Sequence, residues 1–122
     1  LDESCIALIA RVGQQVVGAV QLALEMRPNG DHRAEVQKLM VHTDFRRRGI
    51  ASALMDAIET QARLGQRKLL VLDTRQGDTA QLLYRQRGYI EAGSIPNYAK
   101  NADGSCSATV FFYRSLVEDN SS

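Results

Sequence analysis

The chain has 122 residues, of which 44% are hydrophobic and 24% charged, as expected for one ordinary globular domain. Its 15 Lys and Arg residues nearly balance its 14 Asp and Glu residues, which leaves a formal net charge of +1. Nucleic-acid-binding domains usually carry a larger basic excess. No apolar segment has the length of a membrane helix. We therefore expect a single domain over residues 1–122, without a nucleic-acid or membrane partner.

The cysteines and histidines give little sign of redox or metal chemistry. Cys5 and Cys106 form no Cys-x-x-Cys pair. They predict reduced thiols in a cytoplasmic protein, although the sequence leaves a disulfide between them open. His32 and His42 belong to no cluster of cysteines or carboxylates, so we expect no metal site.

The first third of the chain predicts an antiparallel meander. Gly13-Gln14 and Pro28-Asn29-Gly30-Asp31 are turn sequences that separate apolar segments rich in β-branched residues. Gly18 is a candidate bulge within the second segment. The three predicted strands cover residues 5–10, 16–26 and 33–41.

The remainder alternates between helices and strands. An apolar residue at every fourth position from Ile50 to Ala62 predicts an amphipathic helix over 50–64, which Gly65 ends. Asp78 is placed to cap a second helix, which Gly88 ends. The other predicted elements are a buried strand at 68–73, the second helix at 79–87, a short strand at 89–92, a loop at 96–105 and a last strand at 107–114. The order indicates a mixed α/β fold in which antiparallel strands lead into a parallel crossover.

Arg46-Arg47-Arg48-Gly49-Ile50-Ala51 stands between a predicted strand and the first predicted helix. The first N–H groups of a helix lack intrahelical partners, and the helix dipole adds positive potential there. Gly49 lets a ligand approach the backbone, and the arginines add donors. This arrangement predicts a phosphate site. A solvated basic turn is the alternative.

Two motifs resemble one enzyme family. Arg46, Gly49 and Ala51 fill the fixed places of Arg/Gln-x-x-Gly-x-Gly/Ala, which resembles the pyrophosphate loop of the GNAT family of N-acetyltransferases. The segment from Ala80 to Tyr89 is similar to a later helix motif of the same family. The resemblance implies a GNAT fold, with a mixed antiparallel and parallel central sheet and flanking helices. The strand and helices that usually precede the meander have no counterpart in residues 1–122, so we expect an N-terminally short domain.

The resemblance also implies a cosubstrate, acetyl-CoA, and no metal. In the family, the loop binds the pyrophosphate, and the strand before it pairs with the pantetheine arm and polarises the thioester carbonyl. The positions that match these roles are Leu39, Met40 and Val41 on the strand, and Arg46, Arg47, Arg48, Gly49, Ile50, Ala51 and Ser52 in the loop and helix start.

Three side chains are candidates for proton transfer. Tyr84, in the second motif, is the candidate general acid, because a phenol is protonated at neutral pH; a buried core tyrosine is the alternative. Glu35 and Asp73 are candidate bases. Alternation places Glu35 on one strand face with Gln37 and Leu39, and Asp73 is expected to end the buried strand. Pairing of Glu35 with Arg33, or a local turn bond of Asp73, remains open.

The implied reaction is direct transfer of an acetyl group from acetyl-CoA to a primary amine of a small molecule. Three alternatives remain: acetylation of a protein or peptide, acyl-CoA sensing without turnover, and a covalent cysteine route, which the lack of a nearby histidine disfavours. Arg85 and Arg87 either reach the adenosine 3′-phosphate or form a solvated helix face. A homodimer is a further hypothesis.

Overall fold

The computed structural model describes residues 4–117, and over that range it confirms the mixed α/β fold. The strands belong to one sheet in the order β1-β2-β3-β4-β6-β5. The elements are β1 (Cys5–Val12), β2 (Gln15–Leu24), β3 (Arg33–Val41), α1 (Ile50–Leu64), β4 (Leu69–Arg75), α2 (Ala80–Gln86), β5 (Ile90–Lys100) and β6 (Cys106–Ser115).

The predicted bounds of β3 and α1 are confirmed to the residue, but two later strands are longer than predicted. Asp73 does not end β4, which continues to Arg75. The loop predicted from Pro96 is largely strand, because β5 continues through that proline to Lys100. Proline is tolerated because β5 stands last in the sheet order, where a missing N–H leaves no ladder bond unmade on the outer side.

Contacts group the chain into two compact units, which are described separately. The first comprises the chain up to Leu70 together with the segment from Ser115, and the second is Val71–Arg114. In the first unit, β1, β2 and β3 form the antiparallel meander. One face of α1 packs on these strands and makes the core. Its largest fully buried side chains are Val17, Val20, Leu22, Met55, Ile58 and Leu70.

Strand β3 contains one more residue than the stretch of β2 that it pairs with. Ala19 lies opposite Met40 and Gln21 opposite Gln37, so two residues of β3 face one residue of β2. Lys38, within this bulge, has a φ of 55°, in the left-handed region that non-glycine residues rarely adopt. The bulge bends the strand and re-aims the residues after it.

Gly18 lies beside a second irregularity, as predicted. It pairs with Ala10 of β1, whereas the next paired residues are Val16 and Arg11, so β2 has an extra residue at Val17. A Cβ at Gly18 would come within 3.0 Å of Leu54 Cδ1, 3.1 Å of the Met40 carbonyl oxygen and 3.2 Å of Ile50 Cγ2. Only glycine therefore allows β2 to approach both α1 and β3 this closely.

The second unit is built on the antiparallel pair of β5 and β6 together with α2. Asp78 caps α2 from two residues before its first residue, because its Oδ1 accepts a hydrogen bond from the Ala80 N–H at 2.9 Å. The helix ends as predicted before Gly88, which has a φ of 89°. The buried side chains of this unit are Leu72, Thr74, Tyr84, Tyr89, Thr109, Val110 and Phe112.

We predict that Gly18→Val lowers the free energy of unfolding by roughly 1–3 kcal/mol, because the new side chain overpacks the contact with Leu54 and Ile50. Urea unfolding followed by circular dichroism measures the change. Gln15→Val is the control, because it adds the same side chain at an exposed position of the same strand. Equal stability of the two variants would contradict the close-packing role of Gly18.

Candidate functional site

The segment between β3 and α1 is a short turn held by its own hydrogen bonds. The His42 N–H donates to the Val17 carbonyl at 2.7 Å, which fixes the chain where β3 ends. Residues Thr43–Phe45 then form one turn of 3-10 helix, whose first free N–H, that of Asp44, donates to His42 Nδ1 at 3.1 Å. The guanidinium of Arg48 lies 5.0 Å from the centre of the Phe45 ring. Exposed arginines thus follow a well-defined turn.

The backbone that leads into α1 is shaped as an anion-binding concavity. Arg47 and Gly49 both have left-handed conformations, with φ values of 65° and 78°. Alternation of left-handed and ordinary residues turns successive N–H groups towards one side of the chain, where they form a nest for anions. A Cβ on Gly49 would meet nothing within 4 Å, so the space in front of the helix is open.

The N-terminus of α1 has no competing negative group of its own. Gly49 is the N-cap, without a side-chain hydrogen bond, and the first turn contains no acidic residue. Within residues 4–117, no turn, loop or cap hydrogen bond is donated by the N–H groups of Arg47, Arg48, Gly49, Ile50 or Ala51. The helix dipole and these free donors both favour a bound anion such as a pyrophosphate.

Arg46, Arg47 and Arg48 add positive charge to this helix end. All three are exposed, and none forms an ion pair with another residue in the described part of the chain. Their guanidinium groups are therefore available to a ligand. The loop, helix start and arginines that the sequence predicted thus lie together in one unit, although their binding role remains a prediction.

The structure corrects the prediction that Glu35, Gln37 and Leu39 share one face of β3. The bulge at Lys38 breaks the simple alternation, so Met40 rather than Leu39 takes the face of Glu35 and Gln37. Met40 is 64% exposed, whereas Leu39 and Val41 are half-buried. This shift could not be predicted from the residue pattern, because the bulge is one extra residue within an otherwise regular strand.

Glu35 is half-buried and accepts a hydrogen bond from Gln37 Nε2 at 3.0 Å. Glu35 does not form the alternative ion pair with Arg33. Arg33 instead lies 3.4 Å from a carboxylate oxygen of Glu25, which also binds Arg27. The carboxylate of Glu35 is thus held by a neutral neighbour and remains able to accept a proton or bind a cation.

Tyr84 is only 6% exposed and packs in the core of the second unit. Its ring centre lies 5.9 Å from that of Tyr89 and 6.1 Å from that of Phe112. Burial, together with the negative charges of Asp78 and Asp73, raises the pKa of the Tyr84 hydroxyl to about 12. The phenol therefore stays protonated throughout the neutral range, as a proton donor must.

Two carboxylates influence Tyr84, and sequence reasoning had assigned only one of them to the site. Asp73 is exposed on β4, and Asp78 caps α2; of the two, Asp78 has the larger electrostatic effect on the Tyr84 pKa. The signal for Asp78 was its helix-capping position, which places a carboxylate one turn and a half before Tyr84. Arg85 pairs with Glu91 at 2.5 Å and lies over the Phe112 ring, which favours the structural reading of that arginine.

Cys5 and Cys106 are both free thiols. Within the described residues, no three histidine, cysteine or acidic side chains are grouped in a way that could hold a metal ion. None of the helices in residues 4–117 combines the length and the apolar character that crossing a membrane requires.

Comparison with known proteins relates this fold and loop to one class of enzyme. The chain is similar to the structure of Ard1 from Thermoplasma volcanium, with 28% identity over 90% of this chain and 70% of that one, and a TM-score of 0.77. It is similar to a ribosomal-protein-alanine N-acetyltransferase from Brucella melitensis, with 25% identity over 90% of this chain and 68% of that one, and a TM-score of 0.80. An aminoglycoside 6'-N-acetyltransferase complexed with coenzyme A shares the fold, with 17% identity over 96% of this chain and 76% of that one, and a TM-score of 0.79.

These structures define the class as acetyltransferases. The sequence profile of the acetyltransferase (GNAT) domain matches residues 3–91, and the chain belongs to this family. It is an acetyl-CoA-dependent N-acetyltransferase.

We predict that Tyr84 loses its proton only near pH 12, because burial and the charges of Asp78 and Asp73 raise its pKa. A spectrophotometric titration of the folded protein should show a phenol step near pH 12, and Tyr84→Phe should remove that step. Because the pKa of Tyr84 is higher in the folded than in the unfolded chain, its contribution to stability is complete below pH 10 and is lost as the pH rises towards 12. Loss of an earlier step in Tyr84→Phe would contradict the assignment, and Tyr98→Phe, which removes an exposed tyrosine, is the control.

Proposed function

We propose that the protein transfers an acetyl group from acetyl-CoA directly to a primary amine of a small molecule. The observation that carries this proposal is the open N-terminus of α1, preceded by three unpaired arginines and a nest of free N–H groups. Acetyl-CoA supplies the acetyl group as a thioester. Residues 46–52 would hold its pyrophosphate, since the backbone N–H groups of residues 47–51 have no loop or cap acceptor within the described part of the chain.

The end of β3 would hold the reactive part of the cosubstrate. The bulge at Lys38 shifts the register of the strand just before Leu39, Met40 and Val41. A shifted strand end can present an N–H group to a ligand rather than to a neighbouring strand. We assign to Leu39 or Met40 the N–H that polarises the thioester carbonyl, where negative charge develops during transfer.

Tyr84 would act on the sulfur that leaves. Its hydroxyl, with a pKa of about 12, is always protonated at the pH at which an enzyme works. A thiol has a pKa near 8.5, so complete proton transfer from this phenol to the thiolate is unfavourable. Tyr84 would therefore stabilise the leaving sulfur mainly as a hydrogen-bond donor, and the proton lost by the amine would finally reach the sulfur.

Glu35 and Asp73 are the proposed acceptors of the amine proton. Glu35 accepts from an amide only, and Asp73 is exposed, so each could bind an ammonium group and take its proton through water. We add Asp78 as a residue that positions Tyr84 electrostatically. Direct attack by the amine requires no covalent enzyme intermediate and leaves Cys5 and Cys106 without a role.

Three segments support a small-molecule acceptor. Arg33–Val41, Leu72-Asp73-Thr74 and the stretch from Pro96 to Gly104 resemble the tabtoxin resistance protein, which acetylates an amine of a small toxin. The similar structures include both an aminoglycoside acetyltransferase and a ribosomal-protein-alanine acetyltransferase. Acetylation of a protein or peptide amine is therefore the second candidate, and binding of an acyl-CoA without turnover is the third. The free thiols of Cys5 and Cys106 also fit a cytoplasmic enzyme. A homodimer that forms through the late strands is a further part of the proposal.

We predict that Gly49→Asp weakens coenzyme A binding at least about tenfold, because it places a carboxylate among the donors that face the pyrophosphate. Calorimetric titration measures the change. Gly13→Asp is the matched control: it has a similar left-handed φ of 60°, open space for its Cβ, and a position in the β1–β2 turn. Equal weakening in both variants would contradict a specific pyrophosphate site.

We predict that Tyr84→Phe lowers kcat at least about a hundredfold while coenzyme A affinity holds, since removal of one hydrogen-bond donor to developing negative charge costs about 10²–10³-fold. Release of free thiol measures turnover, with a panel of small primary amines and a panel of peptides as acceptors. Tyr98→Phe is the control and should match the unsubstituted protein. Turnover with peptides alone would favour the second candidate, and binding without turnover on any acceptor would favour the third. Unchanged kcat in Tyr84→Phe would rule out its role.

A further inference from the structure

A surface cavity of about 410 Å³ lies beyond the C-terminal end of α1, within the first unit. Its walls are the turn Gly65–Lys68, the residues Asp31 and His32 before β3, and Met26. We call residues 46–49, which precede α1, the arginine loop. Since α1 has 15 residues with a rise of about 1.5 Å each, the cavity lies roughly 22 Å from the arginine loop at the other end of the helix. It is therefore separate from the proposed pyrophosphate site.

The guanidinium of Arg67, in the wall of this cavity, is poorly supplied with hydrogen-bond acceptors. Its Nε is buried, and among the buried side-chain nitrogen and oxygen atoms of the described residues it alone has no hydrogen-bond partner. Its Nη2 donates to Met26 Sδ at 3.6 Å, and a thioether is a weak acceptor. A buried donor without an acceptor is rare in folded proteins, so the guanidinium of Arg67 is not fully satisfied by the described residues.

The walls of the cavity are held by backbone hydrogen bonds. The Arg67 N–H donates to the Ala62 carbonyl at 2.9 Å, and the Lys68 N–H donates to the His32 carbonyl at 2.6 Å. Gln66, between Gly65 and Arg67, has a φ of 61°, which is uncommon for glutamine and directs the chain away from the helix. The two cationic side chains are thus presented by a fixed turn rather than by a freely moving loop.

The charges around the cavity favour an anion. Arg67 and Lys68 face it with one acidic residue, Asp31, in the same wall. The nearby acid Glu25 is paired with Arg27 and Arg33, and hydrogen bonds from Arg27 lower its pKa to about 2. A guanidinium binds the paired oxygens of a carboxylate or phosphate well, and an ammonium in the same wall adds a positive charge.

We propose that this cavity is a second ligand site, for the oxyanion of a small molecule. The guanidinium of Arg67 donates to the oxyanion, and the ammonium of Lys68 contributes a second charged contact. A phosphate ester and an organic acid both present this chemistry. Because the site lies at the opposite end of α1 from the arginine loop, its ligand is bound independently of acetyl-CoA.

The test is an NMR titration of the full chain, with backbone amide shifts followed separately for residues 65–68 and for residues 49–52. Inorganic phosphate is the probe in one arm and succinate in the other, so the arm with tighter binding identifies the source of the oxyanion. We expect saturable shifts at residues 65–68 with a dissociation constant in the millimolar range. Shifts at residues 49–52 report the proposed pyrophosphate site, so either site can fail without the other.

Arg67→Gln should weaken binding at residues 65–68 about tenfold, since a charged hydrogen-bond donor is lost. Arg63→Gln is the matched control, because Arg63 is an exposed arginine in the last turn of α1, close to Arg67 along the chain, but does not line the cavity. Lys68→Gln provides a second variant and should also weaken binding. Shifts that do not saturate with either probe, or equal weakening in Arg67→Gln and Arg63→Gln, would overturn the proposal.

Discussion

The close approach that Gly18 permits is the constraint on which the first unit depends. At this one position β2 comes near the Met40 carbonyl of β3 and the Ile50 and Leu54 side chains of α1. These neighbours belong to the two elements that flank the arginine loop. A larger residue would force these neighbours, which lie at both ends of the loop, to shift by a few tenths of an ångström. A glycine in a buried part of a strand therefore helps to position a loop whose three arginines, Arg46 to Arg48, are all exposed.

The same unit shows why the start of α1 can be left open. Most helical stability in proteins comes from packing of an apolar face, and α1 buries Leu54, Met55, Ile58 and Ala62. A buried leucine, methionine or isoleucine side chain contributes about 1.5–3 kcal/mol, whereas a good N-cap contributes about 1 kcal/mol. The helix can thus lack a capping side chain and an acidic first turn without loss of its fold. What remains is a positive helix end whose own first turn contains no acidic residue.

The sequence predicted β3, α1 and the loop between them because each is encoded by a pattern of neighbouring residues. Leu54, Ile58 and Ala62 repeat at the period of a helix, and Gly65 ends it. The bulge in β3 could not be predicted in this way, because an extra residue alters pairing across strands without changing the strand's composition. Lys38 in particular gives no sign that its φ is positive. The length of β5 was missed for a related reason, since proline interrupts a strand only where its N–H is needed.

Tyr84 illustrates the difference between finding a residue and knowing its chemistry. A motif was enough to select it, but its proton affinity depends on burial against Tyr89 and Phe112 and on the charges of Asp78 and Asp73. Asp78 is in that position because α2 needs a cap, so one carboxylate both starts the helix and raises the pKa of its tyrosine. The result is a phenol that holds its proton more firmly than a thiol does. Such a group can donate a hydrogen bond to a developing thiolate without being deprotonated in the resting enzyme, and that is the property that the role proposed for Tyr84 requires.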